Sequence, residues 1–69
     1  MKMKIPANAH EYDPIDERNL KGIKFWTYEE AKPFIQELCN SGNEIYFLAK
    51  IPHPMSNSGH QFHIEWKEK

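Results

Sequence analysis

Two stretches of alternating apolar and polar residues dominate the second half of the chain. In Glu44–Ile51 the apolar residues Ile45, Phe47, Ala49 and Ile51 fall at every second position. In His60–Lys67 the alternation is cleaner, with Phe62, Ile64 and Trp66 on one side and Gln61, His63, Glu65 and Lys67 on the other. Successive Cβ atoms of a strand point to opposite faces of a sheet, so a period of two marks a half-buried strand. The pair predicts a β-hairpin over Glu44–Lys67. Its connection, Pro52-His-Pro-Met-Ser-Asn-Ser-Gly59, is rich in turn residues and cannot continue either strand. It is also longer than the roughly two to five residues that most hairpins use.

A helical period precedes the hairpin. Ala31, Phe34, Ile35 and Leu38 fall at i, i+3, i+4 and i+7, which is one face of a helix. Thr27-Tyr-Glu-Glu30 has the form of a capping box, and Asn40-Ser-Gly42 ends the periodic run. Pro33 conflicts with a simple helix from Thr27. It removes the hydrogen bond to the Glu29 carbonyl, at about 3 kcal/mol if unrelieved. A kink is expected there, or a separate first turn before a helix that restarts near Lys32.

Upstream, Asp13-Pro14 suits a helix start and Gly22 a helix end, with Asp16 and Glu17 early and Arg18 and Lys21 late. This predicts a short helix over Pro14–Leu20, docked by Ile15 and Leu20. Ile23–Trp26 is then a short strand or a tight connector. In the first residues Met1, Met3 and Ile5 alternate with Lys2 and Lys4, which suits an edge strand or a flexible arm over residues 1–12. The fold class is α+β in a single small domain over 1–69: a short N-terminal helix and one main helix packed on a two- or three-stranded antiparallel sheet built around a C-terminal β-hairpin. An isolated two-stranded sheet is marginal in water. A third strand therefore comes from residues 1–12, from Ile23–Trp26, or from a second copy of the chain.

Length and charge narrow the picture. At 69 residues a single core rarely supplies more than about 3–5 kcal/mol, so disulfides, a metal or a partner usually supplement it. Cys39 is the lone cysteine, which excludes an internal disulfide. With no apolar export segment after Met1-Lys-Met-Lys-Ile5, a reducing, cytoplasmic setting is expected. No apolar run approaches the ~20 residues that span a bilayer. Nine basic residues stand against ten acidic ones, and the lysines are scattered. That balance disfavours general nucleic-acid binding, which draws its affinity from phosphate contacts.

The candidate chemistry is sparse. His10, His53, His60, His63 and Cys39 are zinc-ligand types. His60 and His63, three apart on a strand, point to opposite faces, and no second pair has metal-like spacing. No metal and no cofactor are expected. Cys39, beside Leu38 on the apolar stripe, reads as a small buried hydrophobe. Glu29-Glu30 and Asp16-Glu17 are explained by helix starts, and no glycine-rich phosphate loop exists. What remains is aromatic. If the helix covers Ile45, Phe47 and Ala49, then Tyr46 and Leu48 face outward, with Trp26 and Tyr28 nearby. Those four residues are the expected partner-binding patch, unless the N-terminal segment covers them.

One resemblance adds a second reading. Ser58-Gly-His-Gln-Phe-His63, following a helix and a strand, resembles the HicA-type RNA-cleaving toxins. Those small proteins have a fold like a double-stranded-RNA-binding domain and carry a catalytic histidine in a Gly-Ser-His signature. The order here is Ser-Gly-His. The resemblance implies His60 as an acid–base residue and RNA as substrate. The main expectation is a non-enzymatic protein-binding module, acting on a larger protein as inhibitor, adaptor or regulatory subunit. Its size is common among phage and mobile-element accessory proteins. A homodimer that pairs hairpin edges is the third expectation.

Overall fold

A computed structural model describes residues 3–14 and 19–68. In chain order the elements are β1 (His10–Tyr12), β2 (Lys21–Phe25), α1 (Tyr28–Asn40), β3 (Glu44–Pro52) and β4 (His60–Lys67). The strands form one four-stranded antiparallel sheet in the order β1-β2-β4-β3. The expected hairpin is β3–β4. The Ile23–Trp26 piece contributes most of the third strand, and β1 adds a short fourth at the edge.

Of the short helix expected over Pro14–Leu20, residues 15–18 lie outside the described residues. Gly22, expected to close that helix, belongs instead to β2, where it pairs with Tyr12 on one side and Glu65 on the other.

Local chemistry accounts for α1. The Glu30 amide donates to Thr27 Oγ1 at 3.2 Å, and the Thr27 hydroxyl donates to Glu30 Oε1 at 3.0 Å, which satisfies the first turn. At the other end the Gly42 amide donates to the Cys39 carbonyl and the Asn43 amide to the Leu38 carbonyl. Gly42 sits at φ +73°, so the pattern is a Schellman close with glycine in the left-handed position. The helix runs unbroken through Pro33. The expected restart near Lys32 does not occur, because one missing hydrogen bond near a solvent-facing carbonyl is offset by the apolar stripe on the other side.

That stripe makes the core. Ala31, Phe34 and Leu38 are buried against Ile23, Phe25, Ile64 and Trp66. The Phe34 ring stands 5.7 Å from Phe25 and 5.2 Å from Trp66. Each such side chain contributes roughly 1.5–3 kcal/mol by leaving water. The segment before β1 covers the same side. Met3 is buried in the cluster, with Ile5 and Ala9 packed against it. Its amide donates to Glu68 Oε2 at 3.0 Å, and Asn8 Nδ2 donates to Glu30 Oε2 at 2.9 Å.

Register overturns the expected faces of β3. Ile45 lies opposite Trp66, but Phe47, not Tyr46, lies opposite Glu65, so Tyr46 is the extra residue of a β-bulge. One extra residue inverts every later side chain. Ile45 keeps the helix side. Phe47, Ala49 and Ile51 turn away from the helix, opposite Glu65, His63 and Gln61. Leu48 and Lys50 turn toward it, opposite Ile64 and Phe62. Leu48 nonetheless stays half exposed, since no strand among the described residues lies beyond β3 in the sheet. Cys39 is a second correction: it is exposed, not buried. It lies one residue past Leu38, a rotation of about 100° that carries it off the apolar stripe.

Candidate functional site

With α1 and the N-terminal segment on one side, no described element covers the other face of the sheet. Antiparallel pairing sets its side chains in rows. His10, Lys24, His63 and Ala49 form one row across all the strands. Tyr12, Gly22, Glu65 and Phe47 form the next. Ile51 and Gln61 continue the pattern on the far side. There Trp26 meets His53 edge-on at 5.0 Å and His10 at 6.4 Å.

Gly22 makes the second row work. A Cβ there would stand 2.7 and 2.8 Å from the Tyr12 ring. Without it the phenol lies across β2 and reaches β4, where Tyr12 Oη donates to Glu65 Oε2 at 2.6 Å. Lys24 Nζ sits 5.5 Å from the centre of the same ring. Burial first, then the Glu65 hydrogen bond and charge, raise the Tyr12 phenol well above the ordinary tyrosine range. Glu65 Oε2 is thereby engaged as an acceptor beside the Tyr12 ring.

His63 lies between these groups. Its ring is 5.5 Å from Tyr12, and its Nε2 is 3.2 Å from Gln61 Oε1. Burial chiefly lowers its pKa, with the charges of Lys24 and His53 adding to the shift and Glu65 opposing it. The imidazole is therefore neutral near pH 7. It can donate or accept a hydrogen bond, and it can act as a base.

The residues expected to form a single patch are not brought together. Trp26 is on the open face. Tyr28 is on the helix side, its ring 5.7 Å from Phe62. Tyr46 is the bulge residue, and its hydroxyl donates to Glu44 Oε2 at 3.1 Å. Leu48 lies at the sheet edge on the helix side. His60 is also on the helix side, in a hollow with Tyr28, Lys50 and Phe62. Its Nδ1 is 3.2 Å from the Ser58 carbonyl. His60 and His63 do face apart, and among the described residues no group of three or more His, Cys, Asp or Glu side chains could hold a metal ion.

The long hairpin loop borders the open face. It closes on itself through His53 N–H to the Gly59 carbonyl at 2.9 Å and Gly59 N–H to the Ser56 carbonyl at 3.0 Å. Met55, within this loop, is the most exposed large apolar residue among those described, at 78%. The loop and Trp26 line a shallow hollow with Thr27 and Glu30.

Sequence reasoning missed His10, Tyr12, Lys24, Phe47 and His63 as a group. The outward alternation of Gln61, His63 and Glu65 was visible, but their neighbours depend on β1 and β2, which are far away in the chain. No helix among the described residues is long and apolar enough to cross a membrane. No family model matches the chain, and no curated protein or solved structure is significantly similar to it.

Proposed function

We propose that the protein is a small, non-enzymatic binding module that docks on a larger protein through the open face of its sheet, as an inhibitor, adaptor or regulatory subunit. The observation that supports this is the make-up of that face. It carries Tyr12, Trp26, Phe47 and Ile51 among the polar groups of His10, His53 and His63. Along the paired strands its formal charges balance, Lys24 and Lys67 against Glu65 and Glu44. Aromatic enrichment with few net charges is the composition of a protein-interface core. A domain with this little core also gains stability from a partner. The reading moves the contact surface from Tyr46 and Leu48 to Phe47 and its neighbours, and keeps Trp26. A cytoplasmic setting and a place among phage or mobile-element accessory proteins belong to the same proposal and rest on size and composition.

The test compares three tagged forms of verified fold: wild type, Phe47→Ser/Ile51→Ser, and Tyr46→Ser/Leu48→Ser. One protein bound by the wild type and the second variant but lost by the first, and then reconstituted from purified components, is the expected result. Loss only in the Tyr46/Leu48 variant would return the site to the sheet edge. Capture of RNA alone would replace the proposal with the second reading.

That second reading, an RNA-binding or RNA-cleaving protein, rests on the row His10–Lys24–His63. Neighbouring strands lie about 4.8 Å apart, and Lys24 stands between two histidines in that row. Tyr12 and Trp26 flank the row where bases could stack. Acid–base work would then fall to His63 and not to His60, which faces the helix side. Single-stranded RNA cleavage that survives His63→Ala but not His60→Ala would favour the residue implied by the toxin resemblance. Cleavage that survives both rules out this reading.

A further inference from the structure

The sheet has two edges, and they differ. β1 offers three residues, whereas β3 runs for nine, Glu44–Pro52, with no described strand on its outer side. The bulge at Tyr46 interrupts one end, and Pro52 lacks an N–H at the other. Between them Phe47–Ile51 is a regular, unshielded edge. Phe47 is 39% and Leu48 52% exposed, and they point to opposite faces. Leu48, on the helix side, is uncovered because no described strand lies beyond it, and Phe47, on the open face, flanks the same edge. A docking surface on either face alone would cover one of them. A strand added at the edge covers both.

We infer that this edge pairs with the same edge of a second copy of the chain, antiparallel over Phe47–Ile51, about a two-fold axis at Ala49. A two-fold at that residue sets Phe47 of one copy against Ile51 of the other on the open face, and Ala49 against Ala49. On the helix side it sets Leu48 against Lys50, whose methylene stem covers the leucine while the ammonium stays in solvent. Lys50 is the only charge in the window, and this register keeps the two copies of it apart. Opposed like charges destabilise strand pairs, so an axis at Lys50 is disfavoured. The small Ala49 lets the backbones meet at the axis. The outcome is a continuous sheet of eight strands, twice the four of one chain, with the two open faces side by side. Lysine on an edge usually discourages such pairing; here the symmetric register accommodates it.

The inference shares Phe47 and Ile51 with the proposed docking face, but its failure is distinguishable, because self-association of the purified protein and partner capture are read by different assays. Cys39→Ser/Ala49→Cys places one thiol at the axis. Opposed residues of an antiparallel pair have Cα atoms about 4.5–5.5 Å apart, within disulfide reach. Mild oxidation is expected to give a covalent dimer from this variant and none from Cys39→Ser/Gln36→Cys, whose thiol lies on the exposed side of α1. Sedimentation of the unmodified protein is expected to shift toward the dimer as concentration rises, and Phe47→Lys to abolish the shift. A wild-type protein that stays monomeric up to about 1 mM, the weak end of specific association, would overturn the inference. So would a wild-type dimer whose Ala49→Cys variant fails to cross-link, since its contact would lie elsewhere.

Discussion

Gly22 and Tyr12 show how one missing side chain organises a surface. The Tyr12 ring occupies the space a Cβ would need, 2.7 Å away. Gly22→Ala should displace the ring and cost roughly 1–3 kcal/mol, read as a lower urea midpoint. Tyr12→Phe keeps the ring and loses only the bond to Glu65, so it should cost less. Tyr12 also carries a pH signature. Its folded pKa lies above its unfolded value, so its contribution is complete below about pH 10 and is lost as pH rises further. Spectroscopic titration should show that Tyr12→Phe leaves the phenolate signal near pH 10 unchanged, since Tyr12 ionises later in the native protein. His63 has the opposite sign. Its folded pKa lies below the unfolded value, so its contribution is present above about pH 6.5 and is lost as pH falls. Urea midpoints measured between neutral and mildly acidic pH should fall less steeply in His63→Gln than in the wild type.

Among the elements, α1 is the most locally determined. Its cap and its glycine close are written within a few residues of the ends, and Thr27→Ala should cost about 1 kcal/mol. Pro33 is the exception to local logic. The helix tolerates it because its exposed side faces solvent and its buried side holds Phe34. Pro33→Ala should therefore stabilise the fold by roughly 1–3 kcal/mol, measurable in thermal melts. A neutral result would mean that Pro33 is offset by its packing near Met3 and Pro6. β3 is the contrary case. Its alternation was plain, yet the bulge at Tyr46 divides it into two halves with opposite facing. Nothing in Ile45-Tyr46-Phe47 marks a bulge, since all three residues suit a regular strand. The cause lies in the pairing, which sets Ile45 on Trp66 in the core while leaving Phe47 opposite Glu65.

For the whole molecule, the sheet is covered on one side only. The covering layer is α1 together with Met3, Ile5 and Ala9. Met3→Ala should cost roughly 2 kcal/mol or more, and hydrogen exchange should then quicken in β2 and β4 beneath it. The opposite layer is absent among the described residues, which is why the surface reading centres there. The two contact surfaces inferred above share Phe47 and Ile51, and they are told apart by assay: self-association of the purified protein reads the β3 edge, and partner capture reads the open face.

The sequence by itself determined the α+β class, the main helix with its cap, and the hairpin, because each depends on periods and end signals within one segment. It also determined that His60 and His63 point apart, a consequence of strand geometry alone. Tertiary structure decided the rest. It placed β1 beside β2 and β2 beside β4, which set His10, Lys24 and His63 in one row from three separate strands. It revealed Gly22 as an opening for the Tyr12 ring, where local signals suggested a helix end. It inverted β3 at Tyr46, so Phe47 and not Leu48 joins the open face. Each of these turns on pairing between segments far apart in the chain, and in a sheet a shift of one residue in that pairing exchanges buried for exposed.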